Sequence, residues 1–315
     1  MGELLVVSFD GKGVPMIKEE AAKLKAKLGT GEKRQKKKEA LVGVSYSVAP
    51  TPRSPESLAE LLVDPEAARA RRQRQGEQAE SPHAQQGRRV ASLVRTKRAV
   101  MELLKADAER RDPQHRKPLV VWLDGALGLW SLAPKLFQEW ERVTFGLDIL
   151  HVVGSLWSAA NAWFGEASQA GQHWVQQKLT EILRGRVGYV IGGLRQRLTK
   201  QQPRKSVREG LAKVITFFHN HQRWRQYDVY LAAGLPVGTG VVESACGSVV
   251  KHRMEGEGKR WSLEGAEALL TLRSLKKSHD NDLRDYWRFR AGQERVRLYT
   301  NQPKYRPTAR LRCVA

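Results

Sequence analysis

Short apolar runs separated by turn residues predict the strands in this chain. Apolar residues that alternate or run together over about four to eight positions are typical of strands buried on one or both faces. The first two runs flank Asp10-Gly11-Lys12-Gly13, which predicts a tight hairpin, since glycine tolerates the backbone angles of such turns. In order, the predicted strands are Leu4–Phe9, Val14–Lys18, Ala40–Val48, Leu119–Leu123 and roughly Arg142–Leu150.

Helical spacing of apolar residues dominates elsewhere, above all after His151. Residues 71–89 interrupt the pattern and are predicted to be an exposed loop, because they are polar and contain a basic run. Ser262 predicts the start of a helix, since serine is a favoured N-cap. The predicted helices are Glu56–Ala70, Val90–Arg111, Phe137–Trp140, several amphipathic helices within 152–235, and residues 240–252 and 263–275.

The order of these elements predicts an α/β fold. A tight antiparallel opening followed by strand–helix alternation indicates a mixed five-stranded sheet flanked by helices, and not a doubly wound parallel sheet. The chain divides into four predicted parts. They are 1–151, the first part of the sheet core with a helical or disordered excursion at 53–117; 152–235, an all-helical insertion; 236–290, the last part of the core; and 291–315, a basic tail.

The charge of the chain narrows its expected partners. The 315 residues include 55 Lys and Arg against 33 Asp and Glu, and the net charge of +22 indicates a polyanionic partner such as nucleic acid. A merely basic, ribosome-like protein is the alternative. Only two cysteines are present, so we expect a reducing compartment, no disulfide framework and no cysteine-rich zinc site. No apolar run approaches about eighteen residues, so we expect no membrane span.

Two of the predicted strands end in an aspartate followed by glycine. Asp10 follows Leu4–Phe9 and Asp124 follows Leu119–Leu123, the two most apolar runs. Functional groups are commonly displayed at strand ends of α/β sheets, so two such strands side by side would place two carboxylates at one edge. The alternative is that each aspartate is only a turn residue.

Glu243 is the candidate for a third carboxylate. In a regular helix, Glu243, Gly247 and Lys251 share one face, which leaves space beside the acid and places a cation two turns away. Three carboxylates suit two Mg²⁺ or Mn²⁺ ions about 4 Å apart, an arrangement that serves phosphoryl transfer. The alternative is a solvent-facing glutamate. The predicted buried face of this helix consists of Val242, Ala245, Cys246, Val249 and Val250.

Basic and aromatic residues follow this helix closely. Lysine and arginine there can neutralise phosphates, and Trp261 can stack on a base or instead pack between two helices. Cys246 is expected to be a small buried residue and not a nucleophile. The candidate DNA-binding residues are Lys251, Arg253, Lys259, Arg260 and Trp261.

Together these stretches resemble the DDE transposases of bacterial insertion sequences, specifically the ISKra group, which are Mutator-like with an RNase H-like catalytic domain. The resemblance extends from residue 4 to about 290, and its last stretch is the most specific. The matching stretches are Val7–Met16, Trp122–Gly125, Asp148–Val152, and Gly240–Cys246 continuing through Lys251, Arg253 and Arg260-Trp261-Ser262 to Gly265-Ala266.

The resemblance implies a site and a cofactor. Asp10, Asp124 and Glu243 would form the catalytic, metal-binding triad for two Mg²⁺ or Mn²⁺ ions. Asp148 and His151 match an Asp-x-x-His element of related Mutator-like transposases, which implies a supporting or DNA-positioning role. The alternative for His151 is a capping or core histidine. The long separation between Asp124 and Glu243 fits an all-helical insertion before the glutamate helix.

The implied activity is metal-dependent cleavage of DNA and transfer of the freed 3′-hydroxyl to a target strand. The implied partner is double-stranded DNA, both transposon ends and target, bound by a homo-oligomer at the bacterial nucleoid in the cytoplasm. Family members generally carry a further N-terminal region for recognising transposon ends, which we expect to be truncated or encoded separately here. The alternatives are a hydrolytic nuclease of the same fold and a catalytically inactive DNA-binding remnant.

Overall fold

A computed structural model describes residues 3–24, 36–74, 85–221, 225–238, 240–278 and 282–300. Part of the predicted loop, 75–84, and most of the predicted basic tail, 301–315, therefore lie outside the described residues. The strands are β1 (Leu4–Pro15), β2 (Lys37–Val48), β3 (Gln85–Ser92), β4 (Leu119–Leu123) and β5 (Val143–Leu147).

The five strands form one mixed sheet in the order β3-β2-β1-β4-β5. β1, β4 and β5 run parallel to one another, whereas β2 is antiparallel to both β1 and β3. Helices flank the sheet, so the predicted fold class is confirmed: an α/β protein with a mixed five-stranded sheet, consistent with an RNase H-like fold.

Helices connect and cover these strands. Those before β5 are α1 (Lys18–Lys23), α2 (Pro55–Val63), α3 (Pro65–Arg74), α4 (Lys97–Arg111), α5 (Leu127–Trp130) and α6 (Ala133–Leu136). Between β5 and residue 240, the described residues contain only helices and their connections, as predicted for the insertion: α7 (Ile149–Phe164), α8 (Gln169–Leu183), α9 (Val187–Gln201), α10 (Lys205–Asn220) and α11 (Tyr227–Ala232).

The last group of helices includes one irregular element. A π-helical segment (Cys246–Lys251) follows α12 and continues directly into α13. The group comprises α12 (Gly240–Ala245), that segment, α13 (His252–Met254), α14 (Leu263–Lys277) and α15 (Asp282–Thr300). None of the helices in the described ranges is both long and apolar enough to cross a bilayer.

The predicted opening hairpin is wrong, because Leu4–Pro15 is a single strand. β1 pairs with β2 along its whole length, and residues 10–13 stay extended within the ladder. Twelve paired positions outweigh the turn preference of four residues, as expected where tertiary pairing overrides local propensity. Asp10 therefore lies inside a strand and not at a turn.

β3 contradicts the predicted loop over 71–89. One side of this polar strand pairs with β2. On its other side, the backbone N–H groups of Arg89 and Ala91 donate to the hydroxyls of Ser278 and Ser274, at 2.9 and 3.1 Å. An edge strand covered in this way needs no apolar alternation, so its partners and not its own sequence pattern specify it.

Several predicted element boundaries also shift. Pro65 divides the helix predicted over Glu56–Ala70 into two, because proline has no N–H to continue a helix. The helix predicted from Val90 begins at Lys97 and is capped by Thr96, whose hydroxyl accepts from the Ala99 N–H. The short helix predicted over 137–140 lies instead at Ala133–Leu136, and the fifth strand ends at Leu147.

Two apolar clusters bury the sheet. The larger joins the sheet to α2, α4 and the helices after β5, and contains the fully buried ring of Trp122. The smaller joins Val42 of β2 to Val249 and Val250. Leu41, the neighbour of Val42, belongs to the larger cluster, as the alternation of side chains along a strand requires. The smaller cluster therefore holds the helix that carries Glu243 against the sheet.

Gly146 of β5 tests how tightly the larger cluster is packed. A Cβ at this position would overlap the indole ring of its strand partner Trp122, which is fully buried. We expect Gly146→Ala to lower the free energy of unfolding by about 1–3 kcal/mol, the usual cost of overpacking, in urea denaturation.

Gly154→Ala in α7 is the matched control. No atom lies within 4 Å of a Cβ at position 154, and alanine favours an exposed helix by up to about 1 kcal/mol over glycine. Equal stabilities of the two alanine variants would show that the indole of Trp122 has room to move.

Candidate active site

The register of two central strands brings Asp10 and Asp124 to the same level of the sheet. The last pair in the parallel ladder of β1 and β4 is Ser8 with Trp122, and each aspartate lies two residues beyond its member of that pair. Asp124 directly follows β4, as predicted. Asp10 lies in the part of β1 that extends past the end of β4.

Asp10 accepts hydrogen bonds from two parts of the chain. Its Oδ1 accepts from the N–H of Gly11 at 2.7 Å and lies 3.7 Å from Nε2 of His151. Its Oδ2 accepts from the thiol of Cys246 at 3.2 Å. Burial raises the pKa of Asp10, but His151, Cys246 and Gly11 stabilise its charged form, so the net shift of the pKa is downward.

Asp124 is less readily ionised than Asp10. Burial raises its pKa, and the negative charge of Asp10 acts in the same direction. The N–H of Ala126, which donates to Oδ1 at 2.8 Å, opposes this shift, as do the charges of His151 and Lys97. His151 therefore lowers the pKa of both aspartates.

The loop after Asp124 is held by the helical layer. The indole N–H of Trp130 donates to the backbone carbonyl of Asp124 at 2.8 Å. A Cβ at Gly125 would lie 2.8 Å from the ring of Phe217 and 3.7 Å from that of His221. Only glycine leaves room for this approach, so α10 supports the backbone that carries the carboxylate.

Asp148 and His151 lie at the start of α7, beside the two aspartates. Asp148 caps the helix by accepting from the Leu150 N–H at 2.9 Å. One turn later, Nε2 of His151 lies 3.9 Å from Oδ2 of Asp148. Asp10 raises the pKa of His151 most; burial opposes this shift, while the charges of Asp148 and Asp124 add to it. His151 is thus a cation candidate among three acids and does not itself cap the helix.

Glu243 lies on the exposed side of α12. Its charge acts on Cys246, whose pKa is raised by burial, by Asp10 and by Glu243, so the glutamate lies near the same thiol that contacts Asp10. The predicted buried face of this helix is confirmed in full. The shared face with Gly247 and Lys251 assumed a regular α-helix, and the π-helical segment at Cys246–Lys251 breaks that spacing.

The three predicted metal ligands are not gathered tightly. Among the described residues, the group whose potential ligand atoms all lie within 4.8 Å of one another is Glu109, His115 and Glu139, which the sequence analysis did not single out. Nζ of Lys105 lies 2.9 Å from Glu139 and 3.4 Å from Glu109, so a lysine already balances this group. The potential ligand atoms of Asp10, Asp124 and Glu243 do not all lie within 4.8 Å of one another.

The chemistry of the first two acids nevertheless fits a divalent metal. Asp10 and Asp124 supply the hard oxygen ligands that Mg²⁺ and Mn²⁺ prefer. Burial raises the pKa of Asp124, so a cation bound beside it would favour its charged form. Glu243, which is exposed on the neighbouring helix, is the available third oxygen donor.

The predicted DNA-binding residues differ in their exposure. Lys251, Arg253 and Arg260 are exposed, and Lys259 is half-buried. Trp261 is packed: its indole N–H donates to the Met254 carbonyl at 3.1 Å, and its backbone pairs with the end of β1. These contacts favour the packing alternative for Trp261 over base stacking.

The contacts that sequence reasoning missed are long-range ones. Cys246 lies 236 positions from Asp10 along the chain and yet donates to its carboxylate. Lys97 and His221 approach the Asp124 loop from α4 and from the end of α10. No local pattern marks these residues, because only the packing of distant elements brings them to the site.

No protein-family model, curated protein or solved structure matches this chain. The fold and the site define an α/β protein with an acidic cluster beside its two central parallel strands. This cluster consists of Asp10, Asp124 and Asp148, which surround His151.

The contact between His151 and Asp10 predicts a measurable titration in the metal-free protein. We expect the pKa of His151 to lie above its ordinary value and to fall in Asp10→Asn, because the asparagine no longer stabilises the imidazolium. NMR of the histidine ring against pH measures both. Glu257→Gln, at an exposed acid away from the cluster, is the control; an unchanged pKa in Asp10→Asn would show that the contact is absent.

Proposed function

We propose that this protein is a DNA transposase that performs metal-dependent phosphoryl transfer. The observation that carries the proposal is the placement of Asp10 and Asp124 at the same level of two adjacent parallel strands. The net charge of +22 and the ISKra-like residue pattern support DNA as the substrate. Its partners would be transposon-end and target DNA, bound by a homo-oligomer.

Each acid has a distinct role in this proposal. Asp10, Asp124 and Glu243 would hold two Mg²⁺ or Mn²⁺ ions, which when bound activate the attacking oxygen and stabilise the leaving one. Cys246 and the Gly11 N–H fix the direction of the Asp10 carboxylate and keep it charged. A cation beside Asp124 would favour its charged form, which burial disfavours.

Cationic side chains would position the DNA. The ring of His151 is 39% exposed and, as an imidazolium, can donate to a phosphate next to the acids. Lys251 and Arg253 are exposed beyond Glu243 on the same helical run and would neutralise phosphates of an approaching strand. Such contacts position DNA and do not read its sequence.

One observation favours a catalytically inactive DNA-binding remnant as the second candidate. Glu243 is exposed, and the ligand atoms of Asp10, Asp124 and Glu243 do not all lie within 4.8 Å of one another. The transposase proposal requires that the three carboxylates come closer together when metal and DNA bind. The remnant does not require this, so the activity of the parent chain separates the two candidates.

Loss of the acids tests the proposed activity. We expect Asp10→Asn, Asp124→Asn and Glu243→Gln each to lower Mg²⁺-dependent joining of labelled duplexes to supercoiled plasmid by more than about 100-fold. Loss of a residue that only hydrogen-bonds to a metal ligand lowers metal affinity or activity by about 10- to 100-fold, so loss of a direct ligand should lower activity more. A pool of duplexes with randomised 3′ ends removes the need to know the transposon ends.

Glu257→Gln is the matched control for Glu243→Gln, since Glu257 is also exposed and follows the same helical run. Nicking without joined products would identify a hydrolytic nuclease. A parent chain that binds DNA but neither nicks nor joins it would identify the remnant. Full activity in Asp10→Asn and Asp124→Asn would remove the site assignment altogether.

A further inference from the structure

α15 is exposed around its whole circumference over most of its length. It packs mainly on α14, and the side chains from Trp287 to Tyr299 are exposed. Surface helices of globular proteins usually bury an apolar side, whereas α15 leaves both aromatic and basic side chains exposed. α14 in turn contacts the π-helical segment, where Arg273 donates to the Val249 carbonyl at 2.7 Å.

Three arginines of α15 form one face. Arg284, Arg288 and Arg295 lie within about 40° of one another at 100° per residue and extend over about 16 Å of helix. All three are exposed. We call them the arginine face. Arg288 forms a 3.5 Å ion pair with Asp285, but both side chains are well exposed, and such surface pairs contribute little to stability.

An exposed indole borders the arginine face. Trp287 is 56% exposed and lies about 60° from Arg284 around the helix. Phe289, which is 54% exposed, lies on the far side, and so does Arg290. On α15, one exposed aromatic ring therefore lies beside the arginine face. A second exposed ring and a further arginine lie on the far side of the helix.

The charges of this face select the class of partner. The same face on a second copy would bring like charges together, and the whole chain carries +22. A membrane surface requires one continuous apolar side, whereas the exposed apolar residues Trp287, Phe289 and Leu298 lie on both sides of α15. A strand of nucleic acid offers both phosphates for guanidinium groups and bases for an indole.

We propose that the arginine face of α15 binds a DNA strand, with its guanidinium groups on phosphates and Trp287 stacked on an unpaired base. The choice of DNA rests on the proposed transposase function. α15 contributes none of the acids, however, so its binding is measurable without metal and can fail independently of catalysis.

The test measures binding of the full chain to a fluorescent single strand and to a blunt duplex in EDTA, over a range of salt concentrations. We expect Arg284→Gln/Arg288→Gln/Arg295→Gln to flatten the slope of log affinity against log salt by about 2 on the single strand, since each phosphate contact contributes about 0.7. Trp287→Ala should weaken single-strand binding at least about 5-fold and duplex binding less.

Phe289→Ala is the matched control for Trp287→Ala, and Arg290→Gln is the matched control for the single variant Arg288→Gln, because each pair removes one exposed ring or one exposed guanidinium from the same helix. We expect neither to reduce affinity as the arginine-face variants do, and circular dichroism would show that all variants keep their helix content. Equal losses in variants and controls, no binding by the parent chain, or a change in oligomeric state with unchanged DNA affinity would each overturn the proposal.

Discussion

The parallel pairing of β1 with β4 is the constraint on which the candidate site depends. It sets Ser8 opposite Trp122, and the alternation of side chains then brings Asp10 and Asp124 level with each other. A slip of one residue would turn Asp10 to the other face of the sheet. β1 is a central strand, paired on both sides and buried above and below, so the register is held by most of the core.

Around this pair, the protein balances buried charge with groups from distant segments. The pKa of Asp10 is lowered because His151, Cys246 and Gly11 stabilise its carboxylate, whereas the pKa of Asp124 stays raised by burial. Asp10 is therefore the more readily ionised of the two, and a cation beside Asp124 would favour its charged form. A divalent metal would supply that cation, which is the physical link between the structure and the proposed phosphoryl transfer.

The helices after β5 contact the candidate site and support its backbone. A Cβ at Gly125 would lie 2.8 Å from the ring of Phe217, so the turn after Asp124 and α10 are in close contact. On the other side of the sheet, α14 covers the edge of β3 and contacts the π-helical segment that follows Glu243. α15 packs on α14, and its arginine face would add DNA contacts at a distance from the acids.

The sequence by itself determined the fold class, the apolar strands β2 and β4, the buried side of the Glu243 helix and the helical character of the insertion. Each of these depends on local hydrophobic spacing, which burial of one face enforces. Only the tertiary structure decided that β1 is one strand, since the turn preference of residues 10–13 gives way to twelve paired positions. It alone decided β3, whose polar residues are specified by β2 and α14, and the meeting of Asp10 with His151 and Cys246. These contacts join residues far apart in the chain, and only the packed fold brings them together.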